Sequence, residues 1–110
     1  MSSHLAQKQC TPCEGGTPPL EHDDIMELKQ NLGGGWEVVD DHHLHRRYTF
    51  DDFGGALAFT NTIGEIAEQQ GHHPDITLTY GKVDVTLCTH KIDGLTESDF
   101  ILAAKIDQAQ

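Results

Sequence analysis

The stretch Ile76-Thr-Leu-Thr-Tyr-Gly-Lys-Val-Asp-Val-Thr-Leu87 decides the fold of this chain. Apolar and polar residues alternate on both sides of a short break at Gly81-Lys82. An alternation of period two, interrupted by a glycine-containing turn, is typical of an antiparallel β-hairpin with one buried face. The stretch therefore predicts two strands and indicates which of their side chains face the core.

A second hairpin is predicted further toward the N-terminus. Trp36 and Val38 alternate with polar residues, and Asp40-Asp41 is typical of a turn. The apolar face of the strand that follows carries Leu44, Tyr48 and Phe50. The chain is therefore expected to contribute four antiparallel strands.

Helical periodicity separates the two hairpins and precedes the first. A first helix is predicted from Leu20 to the glycines at 33–35, because its apolar residues recur at spacings of three and four. A longer helix is predicted from about Asp52, and it should stop at Gly71, since glycine commonly follows a helix C-terminus. We expect the apolar stripe from Phe53 to Ile66 to lie in the core.

The last element is a helix that begins with a capping pair. Thr96 and Asp99 have the spacing of an N-cap residue and its acidic partner, and apolar residues follow them as far as Ile106. The order of elements is then α-β-β-α-β-β-α. This order predicts an α+β domain, with a four-stranded antiparallel sheet and three helices packed on one face.

Residues 1–19 are predicted to be a flexible N-terminal leader, and residues 20–110 a single domain. The leader holds three of the four prolines and few large apolar side chains. Its Cys10-Thr-Pro-Cys13 motif has the spacing of a redox or zinc site. A thioredoxin-type motif needs a preceding strand and zinc needs a second ligand pair, so two thiols on a mobile tail are the favoured interpretation.

Composition excludes several classes of function. The 110 residues include 18 acidic and 7 basic ones, for a net charge of −11, which disfavours direct binding to nucleic acid or to anionic membranes. The longest uncharged stretch, residues 53–64, is shorter than the roughly 20 residues of a transmembrane helix. Three cysteines indicate a reducing compartment, so we expect a cytoplasmic protein. A domain of this size is also expected to self-associate.

The candidate chemistry centres on His72-His73-Pro74, which follows the predicted second helix directly. Glu68 and His72 stand at i and i+4, where a carboxylate can orient or charge an imidazole if the helix extends that far. Pro74 disfavours the α conformation at His73, so the two imidazoles should point in different directions. His90, at the end of the last predicted strand, is expected near the same corner.

These residues alone leave three interpretations open. Imidazoles titrate near neutrality, so the cluster suits general acid–base catalysis. A zinc site and ordinary surface histidines are the alternatives, although common zinc motifs such as His-Glu-x-x-His are absent. The remaining histidines of the first hairpin are predicted to be solvated: His42, His43 and His45.

The spacing of the cluster resembles a family signature. Glu68-x-x-x-His72-His73-Pro74, followed at fixed distances by Tyr80, His90 and Asp99, is similar to the signature of pterin-4a-carbinolamine dehydratases. Trp36, Thr89-His90 and Gly94-Leu95-Thr96 fit the same pattern, and the resemblance extends over about residues 20–110.

The resemblance implies an enzyme that dehydrates 4a-hydroxytetrahydropterin to quinonoid dihydropterin. Such enzymes recycle the cofactor of aromatic amino-acid hydroxylases, which implies a functional link to a hydroxylase. The resemblance also implies dimers or tetramers, and a reaction without metal or organic cofactor, in which pterin is the substrate. The alternative is a non-catalytic pterin-binding or protein-dimerisation module.

The same resemblance assigns roles to individual residues. His72, His73 and His90 are expected to be catalytic, with His72 and His90 as the proton-transferring pair and His73 also binding substrate. The other expected substrate-binding residues are Glu68, Cys88 and Thr89.

Two further positions around this site have other roles. Asp99 belongs to the signature, but helix capping is the favoured account of it. Ile76 stands where some family members have tryptophan. We expect this difference to alter the edge of the pocket or the substrate preference, and not the proton-transfer residues.

Overall fold

Helices and strands follow one another in the order that the sequence predicts. The structure, a computed structural model, describes residues 4–10, 18–32 and 34–110. Its helices are α1 (His22–Gln30), α2 (Phe53–Gln70) and α3 (Glu97–Ala109), and a short 3₁₀ helix spans His4–Gln7. Its strands are β1 (Glu37–Val39), β2 (His43–Thr49), β3 (Asp75–Thr79) and β4 (Lys82–Leu87).

The four strands form one antiparallel sheet in the order β1-β2-β4-β3. β4 pairs with β3 in one hairpin and with β2 of the other, so the two predicted hairpins lie side by side. Leu44 lies opposite Leu87 and Tyr48 opposite Val83, and all four are buried. The α+β fold with a four-stranded antiparallel sheet is confirmed.

The two hairpin turns differ in how well the sequence locates them. Asp40 and Asp41 form the predicted first turn, both with positive φ angles of 54° and 53°, as tight hairpin turns require. In the second hairpin, Lys82 pairs with Thr79 and belongs to β4, so the turn residues are Tyr80 and Gly81. The prediction of a Gly81-Lys82 turn is therefore wrong by one residue.

Helix α2 has the predicted bounds but a shorter buried stripe. The Asp52 side chain accepts a hydrogen bond from the Gly55 N–H at its start, and Gly71 ends it in the left-handed conformation. Phe53, which we expected in the core, is 43% exposed. The reason is that Phe50 takes its place: the Phe50 ring lies 5.5 Å from the buried Phe59 ring, at the core side of the helix start.

Part of the predicted leader belongs to the domain. Leu5 and Ala6 are buried in the core, and the Ala6 carbonyl accepts a hydrogen bond from Lys105 Nζ at 2.9 Å. The Lys8 ammonium is 2.8 Å from the Glu97 carboxylate. Residues 4–10 are thus held on α3, which corrects the prediction for them. Residues 1–3 and 11–17, with Cys13 of the predicted thiol pair, lie outside the described residues.

The C-terminal end of α3 is anchored to the first hairpin by Asp107. Its carboxylate accepts hydrogen bonds from Tyr48 Oη at 2.6 Å, Trp36 Nε1 at 3.0 Å and Arg46 Nη1 at 2.8 Å. Burial, followed by the Asp107 carboxylate, raises the pKa of Tyr48 above its usual range. Tyr48 therefore remains a donor to Asp107 at any physiological pH.

Among the described helices, none combines the length and the apolar character that crossing a bilayer requires.

Replacing Asp107 tests this anchor. Asp107→Ala should lower the free energy of unfolding by about 2–3 kcal/mol, because the buried N–H of Trp36 and O–H of Tyr48 would lose their acceptor. Urea denaturation followed by tryptophan fluorescence measures the change. The exposed neighbour provides the control, since Gln108→Ala should shift stability by less than about 0.5 kcal/mol. Equal stability of the two variants would contradict the anchor.

Candidate active site

The predicted site residues gather where α2 ends, β3 begins and the chain leaves β4. Gly71 turns the chain out of α2, so His72 and His73 lie in the extended segment that leads into β3. His90 follows β4 in a turn and is exposed. Two separate stretches of the chain, the connection from α2 to β3 and the turn after β4, therefore form this corner.

The carboxylate partner of His72 is Asp99, and not Glu68 as predicted. His72 Nε2 lies 2.6 Å from Asp99 Oδ1. The i,i+4 argument for Glu68 is wrong because α2 ends at Gln70, so residue 72 no longer follows the helical spacing. Asp99 has no exposed surface and the His72 side chain is 12% exposed, which makes this the shielded pair of the site.

Asp99 performs two tasks with its two oxygens. Oδ2 accepts hydrogen bonds from the Thr96 N–H at 3.0 Å and from Thr89 Oγ1 at 2.8 Å, whereas Oδ1 faces His72. The capping box predicted from Thr96 and Asp99 is confirmed. The N-terminus of α3 also favours an anion at this place, through the helix dipole. Capping is therefore part of the role of Asp99, and holding His72 is the other part.

This pairing decides which nitrogen of His72 remains available. A carboxylate only accepts hydrogen bonds, so the Nε2 that faces it carries a proton. The other ring nitrogen, Nδ1, is then the one that can take or give a proton to a bound molecule.

Glu68 pairs with His73 instead. Its Oε2 lies 2.6 Å from His73 Nε2, and both side chains are more than half exposed. Glu68 also lines an open groove of about 760 Å³ along α2 and the edge strand β3, together with Ile76, the position where we noted a departure from the family pattern. The other lining residues are Thr60, Asn61, Gly64, Glu65 and Gln69. Glu68 thus connects this groove to the histidine corner.

Cys88 and Thr89 form the inner wall of the corner. Thr89 is buried, and its hydroxyl is bonded to Asp99 and to Thr96 Oγ1 at 2.9 Å, so it points into the domain. Cys88 is buried as well. Burial is the largest cause that raises the pKa of the Cys88 thiol. The negative charges of Asp99, Asp93 and Asp75 raise it further. The wall is therefore strongly acidic around a protonated thiol.

The histidines of the first hairpin are less solvated than predicted. His42 Nε2 lies 2.8 Å from Asp93, and His45 Nε2 lies 3.0 Å from Asp84. His43 is half-buried, with its Nδ1 3.1 Å from Nδ1 of His42. The contact to Asp93 joins this hairpin to the turn that carries His90.

Within residues 4–10, 18–32 and 34–110, no three His, Cys, Asp or Glu side chains come together in a way that would hold a metal ion.

Proteins of known family share both the sequence and the fold of this chain. The profile of the family described as pterin 4 alpha carbinolamine dehydratase matches residues 18–109. A protein of Alkaliphilus metalliredigens is 54% identical over 98% of this chain and 97% of its own length. A protein of Rubrobacter xylanophilus is 55% identical over 96% of this chain and 98% of its own. Both carry the provisional name pterin-4-alpha-carbinolamine dehydratase.

Solved structures show the same architecture. A crystal structure of a transcriptional coactivator/pterin dehydratase from Brucella melitensis superimposes with a TM-score of 0.76 at 35% identity. It matches 82% of this chain and 96% of that one. A pterin dehydratase-like protein described as a RuBisCO assembly factor in the alpha-carboxysome shares the fold, with a TM-score of 0.58 and 24% identity over 67% of this chain and 87% of that one.

The chain is thus a small α+β domain with a corner of two imidazole–carboxylate pairs. Within this class of domain, the chain belongs to the pterin 4 alpha carbinolamine dehydratase family. The resemblance stated from the sequence is therefore confirmed. Sequence reasoning missed the contact of Asp99 with His72, for which the fixed spacing of Asp99 after His90 in the signature was the available signal.

Replacing each carboxylate by its amide in turn distinguishes the Asp99–His72 pair from the Glu68–His73 pair. Asp99→Asn should change the proton distribution between the ring nitrogens of His72, because a carboxamide can present either a donor or an acceptor to Nε2. Ring-nitrogen NMR of histidine-labelled protein measures the tautomer. Glu68→Gln is the matched control and should affect His73 alone. A response of His72 to Glu68→Gln, with none to Asp99→Asn, would restore the pairing first predicted.

The thiol of Cys88 offers a test of the acidic wall. The test uses a Cys10→Ser, Cys13→Ser variant, in which the rate of alkylation by iodoacetamide is measured against pH. The rate for Cys88 should increase at a higher pH than the rate for N-acetylcysteine, because burial and nearby carboxylates disfavour the thiolate. The same protein unfolded in urea serves as control and should follow the reference thiol. An inflection at or below that of the reference in the folded protein would contradict the raised pKa.

Proposed function

We propose that this chain is a hydro-lyase that removes water from 4a-hydroxytetrahydropterin and releases quinonoid dihydropterin. The observation that carries the proposal is the buried Asp99 carboxylate on His72, within a chain of the pterin 4 alpha carbinolamine dehydratase family. A domain that served only as a scaffold would have no use for an imidazole held in one orientation by a fully buried acid. Relatives more than 50% identical carry the corresponding name, which also supports the activity.

The reaction needs two proton transfers, and we assign them to His72 and His90. One imidazole delivers a proton to the 4a-hydroxyl, so that the C4a–O bond breaks and water departs with the electron pair. The other takes the proton from N5, and the electrons of that N–H bond form the N5=C4a double bond. Each transfer contributes about 10² to 10⁴ in rate when the group titrates near the ambient pH.

The remaining residues of the corner bind and orient the pterin in this proposal. Glu68 and His73 line the exposed side, where a carboxylate can accept hydrogen bonds from the amino and N–H groups of the pterin edge. Cys88 supplies the neighbouring wall. Thr89, first expected to touch the substrate, has its hydroxyl bonded within the domain.

We further propose a cytoplasmic enzyme that recycles the cofactor of an aromatic amino-acid hydroxylase. Three cysteines in 110 residues are too few for a disulfide-stabilised scaffold, in keeping with a reducing compartment. Self-association to a dimer or tetramer is supported by large apolar side chains on the surface: Phe53, Leu57 and Tyr80.

A non-catalytic protein-dimerisation or pterin-binding module is the second candidate. It is favoured by the structural relative from Brucella melitensis, which is described as a transcriptional coactivator as well as a pterin dehydratase. The two candidates differ in one measurable respect. A module has no requirement for the protons of His72 and His90.

A stopped-flow assay of 4a-hydroxytetrahydropterin dehydration tests the proposal. The His72→Ala, His90→Ala double variant should lose at least about a hundredfold in kcat, because both proton transfers are removed. His22→Ala is the matched control and should retain wild-type activity, since His22 lies on α1 and pairs with Asp41. Wild type no faster than the double variant would refute the enzyme.

Two further measurements distinguish the alternatives. Pterin binding by calorimetry in an inactive wild type would indicate the binding module. Elemental analysis addresses the zinc interpretation of the histidines: stoichiometric metal in the wild type, lost in the double variant, would overturn the metal-free mechanism.

A further inference from the structure

Thr89 is a buried polar residue that the proposed reaction does not use directly. Its side chain lies between the end of β4 and the start of α3 and is 4% exposed. Its hydroxyl contacts Asp99 Oδ2 at 2.8 Å and Thr96 Oγ1 at 2.9 Å. It is also the residue directly before His90.

The hydrogen bonds of this hydroxyl have a defined direction. A carboxylate only accepts, so the Thr89 O–H donates to Asp99. With its proton committed, the Thr89 oxygen accepts from the Thr96 hydroxyl. The chain of donors runs from Thr96 to Thr89 to Asp99, and the other oxygen of Asp99 faces His72. Thr89 therefore restrains the rotation of the carboxylate that orients His72.

The backbone of Thr89 restrains the other histidine. The Thr89 N–H donates to the Gly94 carbonyl at 2.9 Å, and the Thr89 carbonyl accepts from the Asp93 N–H at 2.9 Å. These two bonds close the turn over residues 89–94, in which His90 is the second residue. Thr89 is thus bonded on one side to the support of His72 and on the other to the turn of His90.

We propose that Thr89 is a positioning residue that fixes the two proton-transferring histidines relative to each other. It acts on His72 through Asp99 and on His90 through the closed turn, and it touches no substrate itself. The proposal rests on the proposed dehydratase function. It replaces the substrate-binding role that the family resemblance first suggested for this side chain.

Two substitutions separate the hydroxyl from the shape of the residue. Thr89→Val keeps the branched side chain and removes the donor to Asp99, whereas Thr89→Ser keeps the donor and removes a methyl group. Thr96→Val is the matched control: it breaks the bond from Thr96 to Thr89 and weakens the same helix cap, but leaves the bond from Thr89 to Asp99. Thermal melting of each variant is the check that it is folded.

We expect a large loss in kcat for Thr89→Val alone. Thr89→Val should lower kcat by about ten- to a hundredfold, because small displacements of catalytic groups are costly, with KM changed by less than about threefold. Thr89→Ser should retain at least about a third of wild-type kcat, since it restores the donor. Thr96→Val should resemble Thr89→Ser. A purely structural role of Thr89 predicts instead that Thr96→Val and Thr89→Val lose activity in proportion to their loss of melting temperature, and that result would overturn the proposal.

A spectroscopic readout keeps the proposal independent of the activity. Ring-nitrogen NMR of His72 should show the wild-type tautomer in Thr89→Ser and Thr96→Val, and an altered one in Thr89→Val. An unaltered His72 in Thr89→Val would overturn the positioning role. If the wild-type protein itself does not dehydrate the pterin, the proposed function fails, and the response of His72 still decides whether Thr89 orients it.

Discussion

The buried carboxylate of Asp99 is the constraint on which the rest of the site depends. An acid with no exposed surface must have its oxygens hydrogen-bonded, and its donors come from three separate parts of the chain. Thr96 lies at the start of α3, Thr89 follows β4, and His72 lies between α2 and β3. Satisfying this one group therefore requires these elements to meet at one corner, and the corner they form is the candidate active site.

Helix α3 is anchored at both ends by acids with different tasks. Asp99 in its first turn joins it to the histidine corner, and Asp107 near its last turn joins it to Trp36, Arg46 and Tyr48 of the first hairpin. Between these two points the helix is buried on almost every side. A helix held in this way is a rigid support, which general acid–base catalysis needs if two imidazoles are to reach one substrate. The sheet order adds to this arrangement, because β3 lies at the edge and leaves its side of α2 open to the groove.

Much of the fold could be predicted because its signals are local. Alternation located the four strands, helical spacing located the three helices, and Gly71 and Asp40-Asp41 marked a helix end and a turn. The errors are at places where tertiary packing decides which side chain is buried. Phe53 is exposed because Phe50 occupies the core beside Phe59, and Leu5 and Ala6 are buried because α3 lies against them. The contact of residues 5 and 6 with α3 leaves no trace in the nearby sequence.

The sequence by itself determined the kinds of elements, their order and the family. It could do so because side-chain periodicity, turn chemistry and motif spacing are properties of neighbours along the chain. Only the tertiary structure decided which carboxylate serves which imidazole. Glu68 and His72 have the spacing of helical neighbours, but α2 ends between them, and the partner of His72 comes from 27 residues away. Spacing predicts contact only while one helix continues, and beyond its end the packing of α3 determines the pairing.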